Sequence, residues 1–164
     1  MTFRLQGDQM NETGRIQSST EIELLSFHIG EQEYSVDIMS VREIRGWTRA
    51  TPLPHSPAHI RGVINLRGTV LPVIDLSTRL GMPPVGGDAR NVIIVVQVGA
   101  QTAGLLVEAV SDIIALPRTE LQPPPDLAAD STTSCVEAIT IVEGRMVRVL
   151  NLGSVLPASE KEAA

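Results

Sequence analysis

A chain of 164 residues with a formal charge of −6 and one cysteine is long enough for one domain or two very small ones, and it can bury roughly 70% of its unfolded surface without covalent staples. Cys135 alone excludes a disulfide framework and a multi-cysteine zinc site, and it fits a reducing cytoplasm. The acidity argues against a general nucleic-acid binder; no apolar run approaches the roughly 20 residues of a membrane helix and residues 1–20 lack the apolar core of a signal peptide, so a soluble, uninserted protein is expected.

Residues 1–20 are polar and aperiodic and read as a flexible tail. From residue 21 onward short strands begin: Leu25, Phe27 and Ile29 alternate, residues 30–32 turn, and Tyr34, Val36 and Ile38 alternate again, the pattern of a hairpin. TPLPHSP at 51–57 is too rich in proline for a sheet interior and reads as an ordered loop, with a helical turn at 57–60. The stretch GVINLRGTVLPVIDL at 62–76 supplies two further strands turning at Arg67 and Gly68, with Pro72 implying an edge or a bulge.

The second half repeats this plan. At an offset of 69 residues, 24–44 aligns with 93–113, so that Gly30 meets Gly99, Val41 meets Val110, Glu43 meets Asp112 and Ile44 meets Ile113. At an offset of 76, residues 62–76 align with 138–152, so that Gly68 meets Gly144, Asp75 meets Asn151 and Arg67 meets Glu143. The difference places about seven extra residues in PRTELQPPPDLAADSTTS at 117–134, a loop by composition. Two copies of five short strands point to an all-β protein of two small, nearly closed sheets, with short helices in loops and at the C-terminus, copies at roughly 21–80 and 90–153, and a polar tail at 158–164. Four aromatics, Phe3, Phe27, Tyr34 and Trp47, leave the core aliphatic.

Catalytic signatures are missing: there is no P-loop, G-x-G-x-x-G, H-E-x-x-H or G-x-S-x-G. His55 and His59 stand four apart, but Pro54 and Pro57 interrupt the segment and no acidic third ligand is near, so neither a metal nor any other cofactor is expected. His28 opposes the apolar phase of its strand and is expected to face solvent, while Cys135 is expected to be a buried or tolerated thiol. Charge is uneven: residues 41–79 hold six arginines (Arg42, Arg45, Arg49, Arg61, Arg67, Arg79) against Glu43 and Asp75. A solvated face explains such a run as readily as a binding face does, although arginine's planar fork suits directed contacts with carboxylates and carbonyls.

The combination YSVDI, VREIRG, a proline loop, IRGVINLRG and VLPVIDL resembles the CheW family, the adaptors of bacterial chemotaxis, over residues 21–156, within a domain at 21–157. The resemblance implies two five-stranded SH3-like barrels packed together and a non-catalytic, cytoplasmic scaffold recruited to membrane-associated receptor arrays. Its implied partners are the regulatory domain of the histidine kinase CheA and the cytoplasmic tips of chemoreceptors. It places Val41, Glu43, Ile44, Gly62, Asn65 and Arg67 on the receptor-binding surface and leaves the kinase contacts open. A paralogue serving another array, such as one controlling surface motility, and a small β-barrel ligand binder are the alternatives. Chemically, Val41 and Ile44 would supply apolar area and Asn65 and Arg67 donors, while Gly62 is read equally as a site of close backbone approach and as a bulge. Three positions apart, Val41 and Ile44 cannot share one face of a regular strand, so one of them is expected in the core. Glu43 is placed to pair with Arg67.

Overall fold

The computed structural model describes residues 20–83, 90–124 and 135–156. The expected tails and most of the 117–134 loop lie outside those residues. Within them run ten strands: β1 (Glu21–Ile29), β2 (Gln32–Asp37), β3 (Val41–Gly46), β4 (Ile60–Leu66), β5 (Thr69–Asp75), β6 (Val92–Val98), β7 (Gln101–Val107), β8 (Ala109–Pro117), β9 (Val136–Val142) and β10 (Arg145–Leu150). Two four-residue helices, α1 (Leu76–Arg79) and α2 (Leu152–Val155), follow β5 and β10.

The tight turns follow from local chemistry. Gly30 and Gly99 open the β1–β2 and β6–β7 hairpins at φ of 61° and 60°, as a glycine-first two-residue turn requires. At the β4–β5 and β9–β10 turns both central residues are left-handed, Arg67 and Gly68 at 52° and 87°, Glu143 and Gly144 at 52° and 81°. That is the type I′ signature, whose twist matches the flanking strands. Ile38, expected to end a strand, lies instead in a 3-10 turn (Ile38–Ser40) whose first residues are capped by Asp37 accepting from Met39 N–H at 3.0 Å. Residues 57–60 form a single turn closed by Ile60 N–H donating to the Pro57 carbonyl at 3.0 Å and do not extend into a helix.

Strands pair across the two copies, which corrects the expectation that residues 21–80 and 90–153 each close a barrel. One sheet has the order β3-β6-β7-β5-β4 and the other β8-β1-β2-β10-β9. Copy-equivalent strands occupy equivalent places, and the registers agree: Val73 pairs with Gly104 in the parallel β5–β7 ladder, and its counterpart Val149 pairs with Ser35 in β10–β2. Because both copies carry the same apolar pattern, either hairpin satisfies the neighbouring edge equally well, so alternation cannot tell pairing within a copy from pairing between copies. The first sheet is consequently one continuous segment, 41–107, and the second is built from the segments on either side of it. Each is nearly closed by an isolated bridge between its edges, Thr51 to Val63 in one and Gln122 to Ile139 in the other. We call them the inner and outer barrels by their place along the chain. Pro72 precedes the β5–β7 ladder by one residue, so the residue lacking an N–H sits where β5 has only β4 beside it.

Three apolar clusters hold the architecture together. Ile64, Leu66, Leu71, Val73, Ile93, Val95 and Leu106 fill the inner barrel. Ile22, Leu24, Ile114, Leu116, Ala138, Val147 and Val149 fill the outer one. The largest cluster joins them, with Leu25, Phe27, Tyr34 and Val36 from one sheet against Ile74, Ile94, Val96 and Leu105 from the other. Burial at about 25 cal/mol per Å² of apolar surface is the main stabilising term, and here it runs through both barrels and the seam between them. Cys135 is fully buried in that joining cluster. The outer barrel is the more polar inside: it buries Ser26, Glu33, Ser35 and Thr140.

Candidate functional site

The candidate residues gather on the two edge strands of the inner barrel, β3 and β4, and on the turn after β4. What arranges them is a β-bulge. Along β3, Val41 pairs with Val96, Glu43 with Val95 and Ile44 with Ile94, so Arg42 is the inserted residue and three sequence positions span only two ladder positions. Val41 and Ile44 therefore lie on one face, the side on which Val96 and Ile94 pack between the barrels. This corrects the expectation that they diverge. Val41 packs partly buried against the joining cluster, whereas Ile44 is 48% exposed. The bulge side chain is anchored, with Arg42 Nε donating to Gln97 Oε1 at 2.8 Å. In the outer barrel the equivalent bulge residue, Ser111, contacts His28 Nδ1 at 2.5 Å, so His28, half-buried, has a protein partner.

Glu43 and Arg45 point to the opposite face of β3. Glu43 Oε2 binds Arg45 Nη1 at 3.1 Å and Glu43 Oε1 binds Arg67 Nη2, which ties β3 to the β4–β5 turn across the open seam. Hydrogen bonds from Arg67 and then Arg45 hold the Glu43 carboxyl below its ordinary 4.5, and Glu43 raises the pKa of Arg67 in return. Arg67 remains 69% exposed, so the pair orients its fork while leaving it open to a partner, and solvent screening keeps its contribution to stability small.

Asn65 serves the turn itself: its Oδ1 accepts from Gly68 N–H at 2.9 Å, an Asx-type contact. Gly62 is buried and lies beneath the face. A β-carbon there would stand 2.2 Å from the Thr51 carbonyl oxygen, and its φ is 145°. Both readings of this glycine hold at once, since the β4–β5 register shifts between Ile60 and Gly62 and the 47–52 segment crosses directly above. Thr51 and Val63 exchange two backbone hydrogen bonds of 2.9 Å there.

Nearby, Asp75 is almost fully buried and is met by Arg61 Nε at 3.3 Å, Ser77 Oγ at 2.5 Å and Thr78 N–H at 3.4 Å. This cluster fixes the end of β5 and the start of α1. Burial, and secondarily Arg79, lower the pKa of His59, and among the described residues no group of three His, Cys, Asp or Glu is arranged to hold a metal ion. Among the described residues no helix is long and apolar enough to cross a membrane.

Sequence reasoning passed over Arg45 and Arg49, which line a cavity beside Asn65; the arginine excess at 41–79 was their signal. It also passed over Ile113, Ile141 and Met146, exposed at 57%, 51% and 46% on the outer barrel. The internal alignment could have found them, since they are the counterparts of Ile44, Asn65 and Val70.

Two β-barrels with apolar residues on exposed edge strands, bordered by oriented guanidiniums, define a protein that works by presenting surface to other proteins. A CheW-like domain family model matches residues 23–160. The chain is 53% identical to the chemotaxis protein CheW of Rhizobium meliloti (strain 1021), across 87% of this chain and 92% of that one. It is 51% identical to the probable chemotaxis protein CheW of Rhizobium etli over the same shares. Among solved structures, the scaffolding protein TtCheW of Thermoanaerobacter tengcongensis superposes with a TM-score of 0.76 at 32% identity, covering 84% of this chain and 89% of that one. The chain belongs to the CheW-like family and is a scaffold of chemotaxis signalling.

Proposed function

We propose that this scaffold has no chemistry of its own and couples the regulatory domain of the histidine kinase CheA to the cytoplasmic tips of chemoreceptors, which recruit it to membrane-associated arrays. The receptor face comprises Val41, Glu43, Ile44, Asn65 and Arg67, with Gly62 shaping it from below. The observation that carries this reading is the Arg42 bulge in the edge strand β3, which sets the half-exposed Ile44, on the same side as Val41, along one side of that open edge and Glu43, holding the fork of Arg67, along the other. A helical receptor tip needs such an apolar strip with directional polar groups at its border. A second partner needs a second surface, and Ile113, Ile141 and Met146 on the outer barrel offer one to the kinase.

The test is co-sedimentation of the purified protein with kinase and receptor signalling fragments of its own organism, scored for kinase activation. Arg67→Glu should weaken receptor association far more than kinase association while the far-UV spectrum stays unchanged. Equal loss of both removes Arg67 from the receptor face, and failure of the wild-type protein to bind either fragment overturns the reading.

A further inference from the structure

Beside the Glu43–Arg67 pair, the seam between the 47–52 segment and the β4–β5 hairpin forms a half-open cavity of about 310 Å³ lined by Arg45, Arg49, Thr51, Val63, Asn65 and Val70. Two guanidiniums, those of Arg45 and Arg49, line it, and Arg45 shares the Glu43 carboxylate with Arg67. Among the described residues no carboxylate pairs with Arg49. Arg45 is the more telling of the two lining cations. Its Nη1 is engaged by Glu43, but its Nε–H is enclosed and has no acceptor among the described residues. An enclosed donor without an acceptor is unfavourable, and the Nε edge of a guanidinium is one of the two edges that grip a carboxylate with parallel hydrogen bonds.

We propose that this cavity receives the carboxylate of an aspartate or glutamate side chain on the receptor helix, held by Arg45 and Arg49 against the apolar wall of Val63 and Val70. The proposal rests on the coupling function above and adds to it a specificity contact: the helix must place an acid beside its apolar strip. The outer barrel has no equivalent, because its counterpart of Arg45 is the buried Ile114 and its counterpart of Arg67 is Glu143. The acid-reading cavity therefore distinguishes the two pseudo-equivalent faces and gives the receptor a unique orientation.

Binding of a labelled receptor signalling-tip fragment from the same organism, titrated at low and at high salt, tests the proposal. Wild-type affinity should fall with salt. Arg49→Glu should reduce affinity about tenfold or more at low salt and flatten the salt dependence. Arg45→Lys keeps the charge and loses the fork, and it should still cost several-fold. One acid-to-lysine change in the fragment should restore binding to Arg49→Glu. If Arg49→Glu and Arg45→Lys both keep wild-type affinity and salt dependence while Ile44→Asp abolishes binding, the cavity does not read an acid and the coupling reading survives. If Arg49→Glu instead weakens binding of a kinase regulatory-domain fragment and spares the receptor, the assigned partner is overturned. If the wild-type protein binds no receptor fragment, both readings fail together.

Discussion

Replacing Gly62 with alanine should be among the most damaging single-methyl additions in the inner barrel. The new β-carbon would lie 2.2 Å from the Thr51 oxygen and 2.6 Å from its carbonyl carbon. Neither is the end of a flexible side chain, so the 47–52 segment must move. The φ of 145° is a conformation left almost entirely to glycine and costs an L-residue about 1–3 kcal/mol. Moving the segment also breaks the two Thr51–Val63 hydrogen bonds, each contributing about 1 kcal/mol net. Together a loss of roughly 3–5 kcal/mol is expected, a large fraction of the stability of an ordinary domain. Urea unfolding measures the loss, and hydrogen exchange at the Thr51 and Val63 amides reports whether the bridge has opened. The outer barrel supplies the control. Ala138, the counterpart of Gly62, has no left-handed φ and already carries a methyl beside the matching Gln122–Ile139 bridge, so Ala138→Gly should cost only about 1–2 kcal/mol, from backbone entropy and one buried methyl, with the bridge intact. A Gly62→Ala protein within about 0.5 kcal/mol of wild type, with both amides still protected, would refute the close-approach account.

Other outcomes follow from the same geometry. The Glu43 carboxyl is held low in the folded protein, so its ion pairs persist above the ordinary value of 4.5 and disappear as pH falls through the lower folded value. In an NMR titration, Arg67→Ala should move the Glu43 midpoint upward toward 4.5, and an unchanged midpoint would mean that Arg67 does not engage it in solution. Thr140 is 1% exposed and its hydroxyl has no partner among the described residues, while its counterpart in the inner barrel is Ile64. Thr140→Val should therefore stabilise by about 1 kcal/mol in urea unfolding, and destabilisation would show that the hydroxyl has an acceptor. Ile44→Asp, at a half-exposed edge position, should leave the melting temperature within a few degrees of wild type while lowering receptor-fragment affinity at least tenfold. Full affinity in that variant would take Ile44 out of the interface.

Much of this molecule was legible because its signals are local. Gly30, Gly68, Gly99 and Gly144 mark four hairpin turns, and period-2 alternation between them marks strands. The duplication was equally plain. Which hairpin pairs with which was not, because the copies are too alike in pattern for alternation to discriminate. The Arg42 bulge escaped for a different reason: an inserted strand residue has no side-chain signature, yet it reverses the phase of everything after it, and so it decided the face of Ile44. Asn65 did carry a signal, since an asparagine three residues before Gly68 is placed to accept the turn N–H; its oxygen is occupied there. For Gly62 the side chain's absence announced a constraint, but only the fold reveals that the constraining atoms belong to Thr51.

The order of strands along the chain also bears on how the molecule is made. During synthesis β1 and β2 emerge first but must wait for β8 and β10 before either gains a neighbour outside the hairpin. The strands from β3 to β7 can finish their sheet as soon as residue 107 is free. A finished inner barrel then offers Ile94, Val96, Leu105 and Val107 as a platform for the waiting Leu25, Phe27 and Val36. A nascent chain stalled shortly after residue 107 would carry a complete candidate receptor face together with two unpaired strand edges, the species most prone to aggregate.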